Sequence, residues 1–186
     1  MIELDVASTG AASRPLILIG MMGAGKSTVG RRIATRLERP FVDADKVLEE
    51  RCGVAISTIF ELEGEDGFRR REAAILDELS RLPSIVLATG GGAVLAAENR
   101  GRLAEHGTVI YLRARPEDLY QRVRHDLNRP LLATRDPLRR LREMHAERDP
   151  LYASIADLVV DTGKQTVQAL ARELVGRLGE QWKASA

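Results

Sequence analysis

The sequence predicts an α/β protein, with a five-stranded parallel sheet flanked by helices. Three observations lead there. Short apolar runs that read as buried strands alternate with stretches of helical period along most of the 186 residues. One strand-to-helix passage carries Gly20-Met21-Met22-Gly23-Ala24-Gly25-Lys26-Ser27-Thr28, which fits the phosphate-binding pattern G-x-x-x-x-G-K-[ST]. Polar and glycine-rich residues also cluster directly behind the strand candidates, where open parallel sheets hold their ligands.

Taken in order, residues 1–14 are small and polar and read as a flexible leader. Pro15-Leu16-Ile17-Leu18-Ile19 is the first strand, and Val29, Ile33 and Leu37 form one helical stripe behind the glycine loop. Phe41-Val42 is the second strand. A helix opened by Phe68-Arg69-Arg70-Arg71 follows, with Phe68, Ile75, Leu79 and Leu82 on its apolar side. Ile85-Val86-Leu87-Ala88 is the third strand, a helix lies around Glu98 to Glu105, and Val109-Ile110-Tyr111-Leu112 is the fourth strand. Leu119, Val123 and Leu127 mark the next helix, broken by Asn128-Arg129-Pro130-Leu131-Leu132. Residues 133–137 read as a loop. A further helix ends at Arg148-Asp149-Pro150-Leu151-Tyr152 because an internal proline removes a donor and clashes with the preceding turn. Leu158-Val159-Val160 is the fifth strand, and Val167, Leu170, Leu174 and Leu178 define the last helix. The organisation expected is a single domain over 15–179, with a substrate-binding region at 44–72, a mobile lid at 124–137 and a tail at 180–186.

Composition removes several classes. A net charge of +1 provides no overall basic field, so no nucleic-acid partner is expected. The single cysteine, Cys52, excludes an internal disulfide and a cysteine-built zinc site, and it suits a reducing compartment. His106, His125 and His145 are too widely spaced for a short metal motif. No run approaches the roughly 18 apolar residues that a spanning helix requires, and Met1-Ile2-Glu3-Leu4-Asp5 lacks a basic signal-peptide start. The expectation is a cytoplasmic monomer without a membrane partner, acting on small molecules.

The chemistry lies after the strands. Glycines let successive backbone N–H groups curl around an anion, and the helix starting near Lys26 adds the positive end of its dipole. Lys26 then reaches the outer phosphates, and the Ser27 hydroxyl is placed to ligand the Mg²⁺ that bridges them. In Asp43-Ala44-Asp45, two carboxylates two residues apart on an extended chain face one side. One suits the metal's shell and the other an attacking hydroxyl; alternatively, Asp45 caps a helix starting at Lys46, and the two roles are compatible. Gly90-Gly91-Gly92 behind the third strand lets a ligand approach backbone. At most one or two of Arg69, Arg70 and Arg71 face one site, because successive helical residues fan out by about 100°. Glu65 and Asp66, four residues before Arg69 and Arg70, offer surface pairs instead. Residues 113–148 hold ten arginines and no lysine, which suits planar contacts to phosphate or carboxylate from a lid. Within that stretch, Arg139, Arg140 and Arg142 read as a solvated face.

The series G-x-x-G-x-G-K-S-T, D-x-D, F-R-R, G-G-G-A, R-P-L-L and R-x-P-L-Y, in this order from about residue 16 to 178, resembles the shikimate kinases. Gluconate kinases and nucleoside monophosphate kinases share the loop, but not the six-part series. The resemblance implies a three-layer P-loop kinase fold and ATP-dependent phosphorylation of the 3-hydroxyl of shikimate, on the route to chorismate and the aromatic amino acids. It implies catalytic roles for Lys26, Asp45 and Arg129. ATP would meet Gly23, Ala24, Gly25, Lys26, Ser27, Thr28 and Arg129, with Arg122 and Gln165 beside the nucleotide. Shikimate would lie between Asp45, Arg69, Gly91 and Arg148, and one Mg²⁺ would be held with Ser27 and Asp43.

Overall fold

The computed structural model describes residues 13–124, 132, 134–163 and 165–184, with side chains as far as residue 180. Its elements run β1 (Leu16–Ile19), α1 (Lys26–Leu37), β2 (Phe41–Asp43), α2 (Ala44–Cys52), α3 (Ile56–Leu79) and β3 (Val86–Ala88). They continue with α4 (Ala97–His106), β4 (Thr108–Arg113), α5 (Pro116–Val123), α6 (Pro137–Ile155), β5 (Leu158–Asp161) and α7 (Val167–Ala184). The strands form one sheet in the order β2-β3-β1-β4-β5, and every neighbouring pair is parallel.

Every residue of β1 is fully buried. A central strand covered on both faces must be apolar throughout, and Leu-Ile-Leu-Ile satisfies that. The edge strand β2 is half-buried along its length. The chain crosses from β1 to the far edge at β2, returns beside β1 with β3, and then passes to its other side with β4. The strand order therefore reverses at β1, and the crevice beyond its carboxyl end is where such a sheet takes a ligand. α1 lies against β1, β2, β3 and α7, whereas α4 and α6 lie against β4 and each other.

Several local expectations change in three dimensions. α3 begins at Ile56 and is interrupted at Gly64 (φ 69°, ψ −175°), so the Phe68 turn belongs to the part after the break. Leu82 falls beyond that helix and is exposed. Asp43, not Asp45, is the residue before α2, and Asp45 sits in that helix's first turn. Pro137 opens α6 instead of closing a loop, with the Asp136 side chain accepting from the Arg139 N–H at 3.0 Å. Pro150 sits inside α6, which continues to Ile155. There Tyr152 is fully buried and stacked on Tyr111 with ring centroids 4.8 Å apart, so packing of the following turn outweighs the bond that proline removes. At the edge of the expected leader, Arg14 donates to the carbonyls of Glu105 at 2.7 Å and Gly107 at 3.1 Å, serving acceptors left open at the end of α4.

Candidate active site

The turn after β1 closes on itself. Lys26, the first residue of α1, is buried, and its Nζ donates to the carbonyls of Gly20 at 2.8 Å and Met21 at 3.0 Å. Those bonds hold the ammonium inside a ring of backbone. Ser27 Oγ donates to Asp43 Oδ2 at 2.6 Å, joining α1 to the end of β2. Asp43 and Asp45 do not share an extended strand, but both line a cavity of about 610 Å³ with the phosphate loop, Thr89 and Gly91. The helical turn at α2 thus delivers the convergence that the strand argument expected.

The same cavity is lined by Arg122, Gly163, Gln165, Val167 and Leu170. Arg122 Nη1 donates to the Gly23 carbonyl at 3.0 Å, tying α5 to the phosphate loop. Gln165 Nε2 donates to Glu173 Oε2 at 2.9 Å, so α7 fixes the turn beyond β5.

Residues 90–92 explain their three glycines by contact. A β-carbon at position 90 would lie 2.5 Å from Glu72 Oε1 and 2.8 Å from Asp45 Oδ1; one at position 92 would lie 2.1 Å from Arg69 Nη1. A β-carbon at position 91 would approach Met22 N at 3.2 Å, so this loop sits directly against the phosphate loop. Side chains and backbone occupy the volume that any larger residue needs.

Of the three consecutive arginines, Arg69 is the one at this loop. Its guanidinium donates to Glu72 Oε2 at 2.7 Å and to Glu65 Oε1 at 2.8 Å, and its Cζ lies 5.1 Å from the Phe68 ring centre. Arg71 instead meets Glu63 at 2.6 Å, and no Asp66–Arg70 pair forms among the described residues. Burial works against the charge of Arg69, but Glu72 and Glu65 outweigh it and hold its pKa above the ordinary value. Arg148, from α6, is 3% exposed and donates from Nη1 to the Gly91 carbonyl at 3.2 Å. Arg139 and Arg142 lie outside the site, each exposed and paired with a surface glutamate.

Two residues escaped the sequence reading. Glu72 is buried beside Arg69 and Asp45, and burial raises its pKa despite the pull of Arg69. Its signal was its position three residues after Arg69, on the same helical face. Tyr152 closes the R-x-P-L-Y motif and donates its hydroxyl to the Gly91 carbonyl. Glu72 Oε1 and Arg148 Nε are buried without a hydrogen-bond partner among the described residues, so the site holds an acceptor and a donor for something more. Arg129 lies outside the described residues.

A family model described as shikimate kinase matches residues 22–179. The chain belongs to the shikimate kinase family. The shikimate kinase of Bordetella pertussis (strain Tohama I) is 57% identical over 164 residues, covering 88% of this chain and 78% of that one. The shikimate kinase of Nitrosococcus oceani is 53% identical over 171 residues, covering 92% and 90%. Among solved structures, the shikimate kinase of Acinetobacter baumannii in complex with shikimate superposes with a TM-score of 0.89 at 42% identity, covering 92% of this chain and 96% of that one. A gluconokinase from Sinorhizobium meliloti shares the fold alone, at 21% identity and a TM-score of 0.59. The six motifs that carried the resemblance are therefore those of a shikimate kinase family member. No described helix is long and apolar enough to cross a membrane.

Proposed function

We propose that this chain transfers the γ-phosphoryl group of ATP to the 3-hydroxyl of shikimate, giving shikimate 3-phosphate and ADP on the way to chorismate and the aromatic amino acids. One observation carries the reading: Arg69 and Arg148, from different helices, meet at a glycine loop that rests against the phosphate loop. Two guanidiniums supply planar donors for a carboxylate, and the neighbouring Asp45 supplies an acceptor for a hydroxyl of the same small acid. Membership of the shikimate kinase family points to the same substrate.

In this reading ATP lies along Gly23, Ala24, Gly25, Lys26, Ser27 and Thr28, with Arg122 and Gln165 toward the nucleoside. The loop N–H groups and the start of α1 neutralise the phosphates, and Lys26 exchanges its loop carbonyls for phosphate oxygens. Asp45 orients the 3-hydroxyl and accepts its proton as the hydroxyl oxygen bonds to the γ-phosphorus and the bond to the bridging oxygen of ADP breaks. Arg129, through the family pattern, stabilises the charge of the transferring group. Ser27 Oγ and Asp43 Oδ2, 2.6 Å apart beside the loop, form a hard-oxygen pair that fits a Mg²⁺ held mainly by phosphate and water. The metal, when bound with ATP, offsets phosphate charge.

The test is ADP release by the purified protein with Mg-ATP, with and without shikimate, and phosphorus NMR of the product. A shikimate-dependent rate with a new phosphate monoester is expected. ATP binding without acceptor-dependent ADP, or faster turnover of gluconate or a nucleoside monophosphate, overturns the reading.

A further inference from the structure

The Gly91 carbonyl accepts from two side chains that lie four residues apart on α6, Arg148 Nη1 and the Tyr152 hydroxyl. Positions i and i+4 share one helical face, so a single face of α6 grips this carbonyl. Tyr152 is fully buried, and its ring stacks on Tyr111, whose hydroxyl donates to Asp149 Oδ1 at 2.6 Å. The ring is held on one side by the stacked Tyr111 ring, so the hydroxyl has little freedom to leave its acceptor. On the other side of Gly91 lies the backbone of Met22 in the phosphate loop.

We infer that Tyr152 is a positioning residue for substrate: its hydroxyl fixes the Gly91 peptide, which sets both the substrate-facing loop and the reach of Arg148. The inference rests on the shikimate reading of this site. With the hydroxyl present, Arg148 does not have to hold the loop alone, and its remaining N–H groups stay available to a ligand. Without it, Gly91 keeps one donor, Arg148 is drawn to the carbonyl, and a mobile loop faces the substrate. The charge that binds shikimate is unchanged, but its aim is lost.

Burial pushes the Tyr152 phenol well above the ordinary tyrosine value; Glu72 adds to the rise, and the guanidiniums of Arg148 and Arg69 oppose it without cancelling it. It is thus a donor at every pH at which the enzyme is assayed, and the effect of its removal is independent of pH.

The experiment uses Tyr152→Phe, which keeps the ring and its stack, with Tyr111→Phe as the control on the same stack. Losing one neutral hydrogen bond at a positioned loop corresponds to roughly a two- to ten-fold change. We expect KM for shikimate to rise by about that factor in Tyr152→Phe, with KM for ATP unchanged, and no such rise in Tyr111→Phe. In a cycle with Arg148→Lys, the two effects are non-additive, because both side chains act on one carbonyl. Equal rises in both KM values, a rise as large in Tyr111→Phe, or additive effects in the cycle overturn the inference. If Tyr152→Phe is too unstable to assay alone, its shikimate affinity is measured with the variant stabilised by saturating Mg-ADP: a weakened affinity supports the inference, and one equal to wild type overturns it. Absence of shikimate turnover in the wild type tells against the substrate assignment instead, so the two failures are separable.

Discussion

At the scale of single residues, the site is defined by what is too close. Gly92 leaves no room for a β-carbon beside Arg69, whose guanidinium is pinned by Glu72 and Glu65 and cannot simply swing aside. Gly92→Ala should therefore force Arg69 off its partners, raising KM for shikimate by roughly ten-fold, the scale of a charge-assisted bond, and lowering the melting temperature as the buried Glu72 loses its pair. A large loss of stability with unchanged KM would mean that the backbone yields and Arg69 does not. Glu72 makes a pH prediction. Its folded pKa is raised, so its contribution to stability is fully present below the unfolded value, about 4.3, and is lost as pH rises through the folded value. The difference in melting temperature between wild type and Glu72→Gln should move against the wild type as pH rises from about 4.3. A difference moving the other way would show that the pairing with Arg69 outweighs burial.

At the scale of elements, Gly64 divides α3 into residues 56–63 and the part that carries Arg69 and Glu72. Its positive φ lies where an L side chain is strained, and nothing lies within 4 Å of a β-carbon there, so the cost of Gly64→Ala is conformational. We expect about 1 kcal/mol, a fall in melting temperature of roughly 2–4 °C. A chemical denaturation series would check it, and a neutral result would mean the two parts of α3 reorient freely. Gly64 also marks the limit of what was legible. The Phe68, Ile75 and Leu79 stripe is readable because burial imposes a period on sequence, whereas a break within a run of glutamates and glycines leaves no period to read. Pro150 misled for the opposite reason. Its local rule favours a stop, and only the buried Tyr152 stack, a tertiary contact, carries the helix past it. Lys26, Ser27 and Asp43 were legible because a loop motif and the residues behind a strand have fixed places. Glu72 was not, since a buried acid and an exposed one look alike in a helix with many charges.

At the scale of the whole molecule, two ligand supports meet where Gly91 rests on Met22. The phosphate side is built by β1, α1 and the end of β2; the acid side by α3, α6 and the turn after β3. The metal candidates Ser27 and Asp43 belong entirely to the first side, and Arg69 and Arg148 to the second. Chelation with EDTA should therefore stop ADP formation while leaving shikimate binding intact. Saturation at 100 times the dissociation constant corresponds to about 2.7 kcal/mol, a rise in melting temperature of roughly 5–11 °C for a chain of this size. That rise should appear with shikimate in EDTA, whereas the shift produced by ATP should require added Mg²⁺. Ser27→Ala should increase the Mg²⁺ concentration needed for half-maximal rate without changing the shift produced by shikimate. If EDTA removed the shikimate shift as well, the metal would have to bridge both supports, and the Ser27–Asp43 pair could not be its protein anchor.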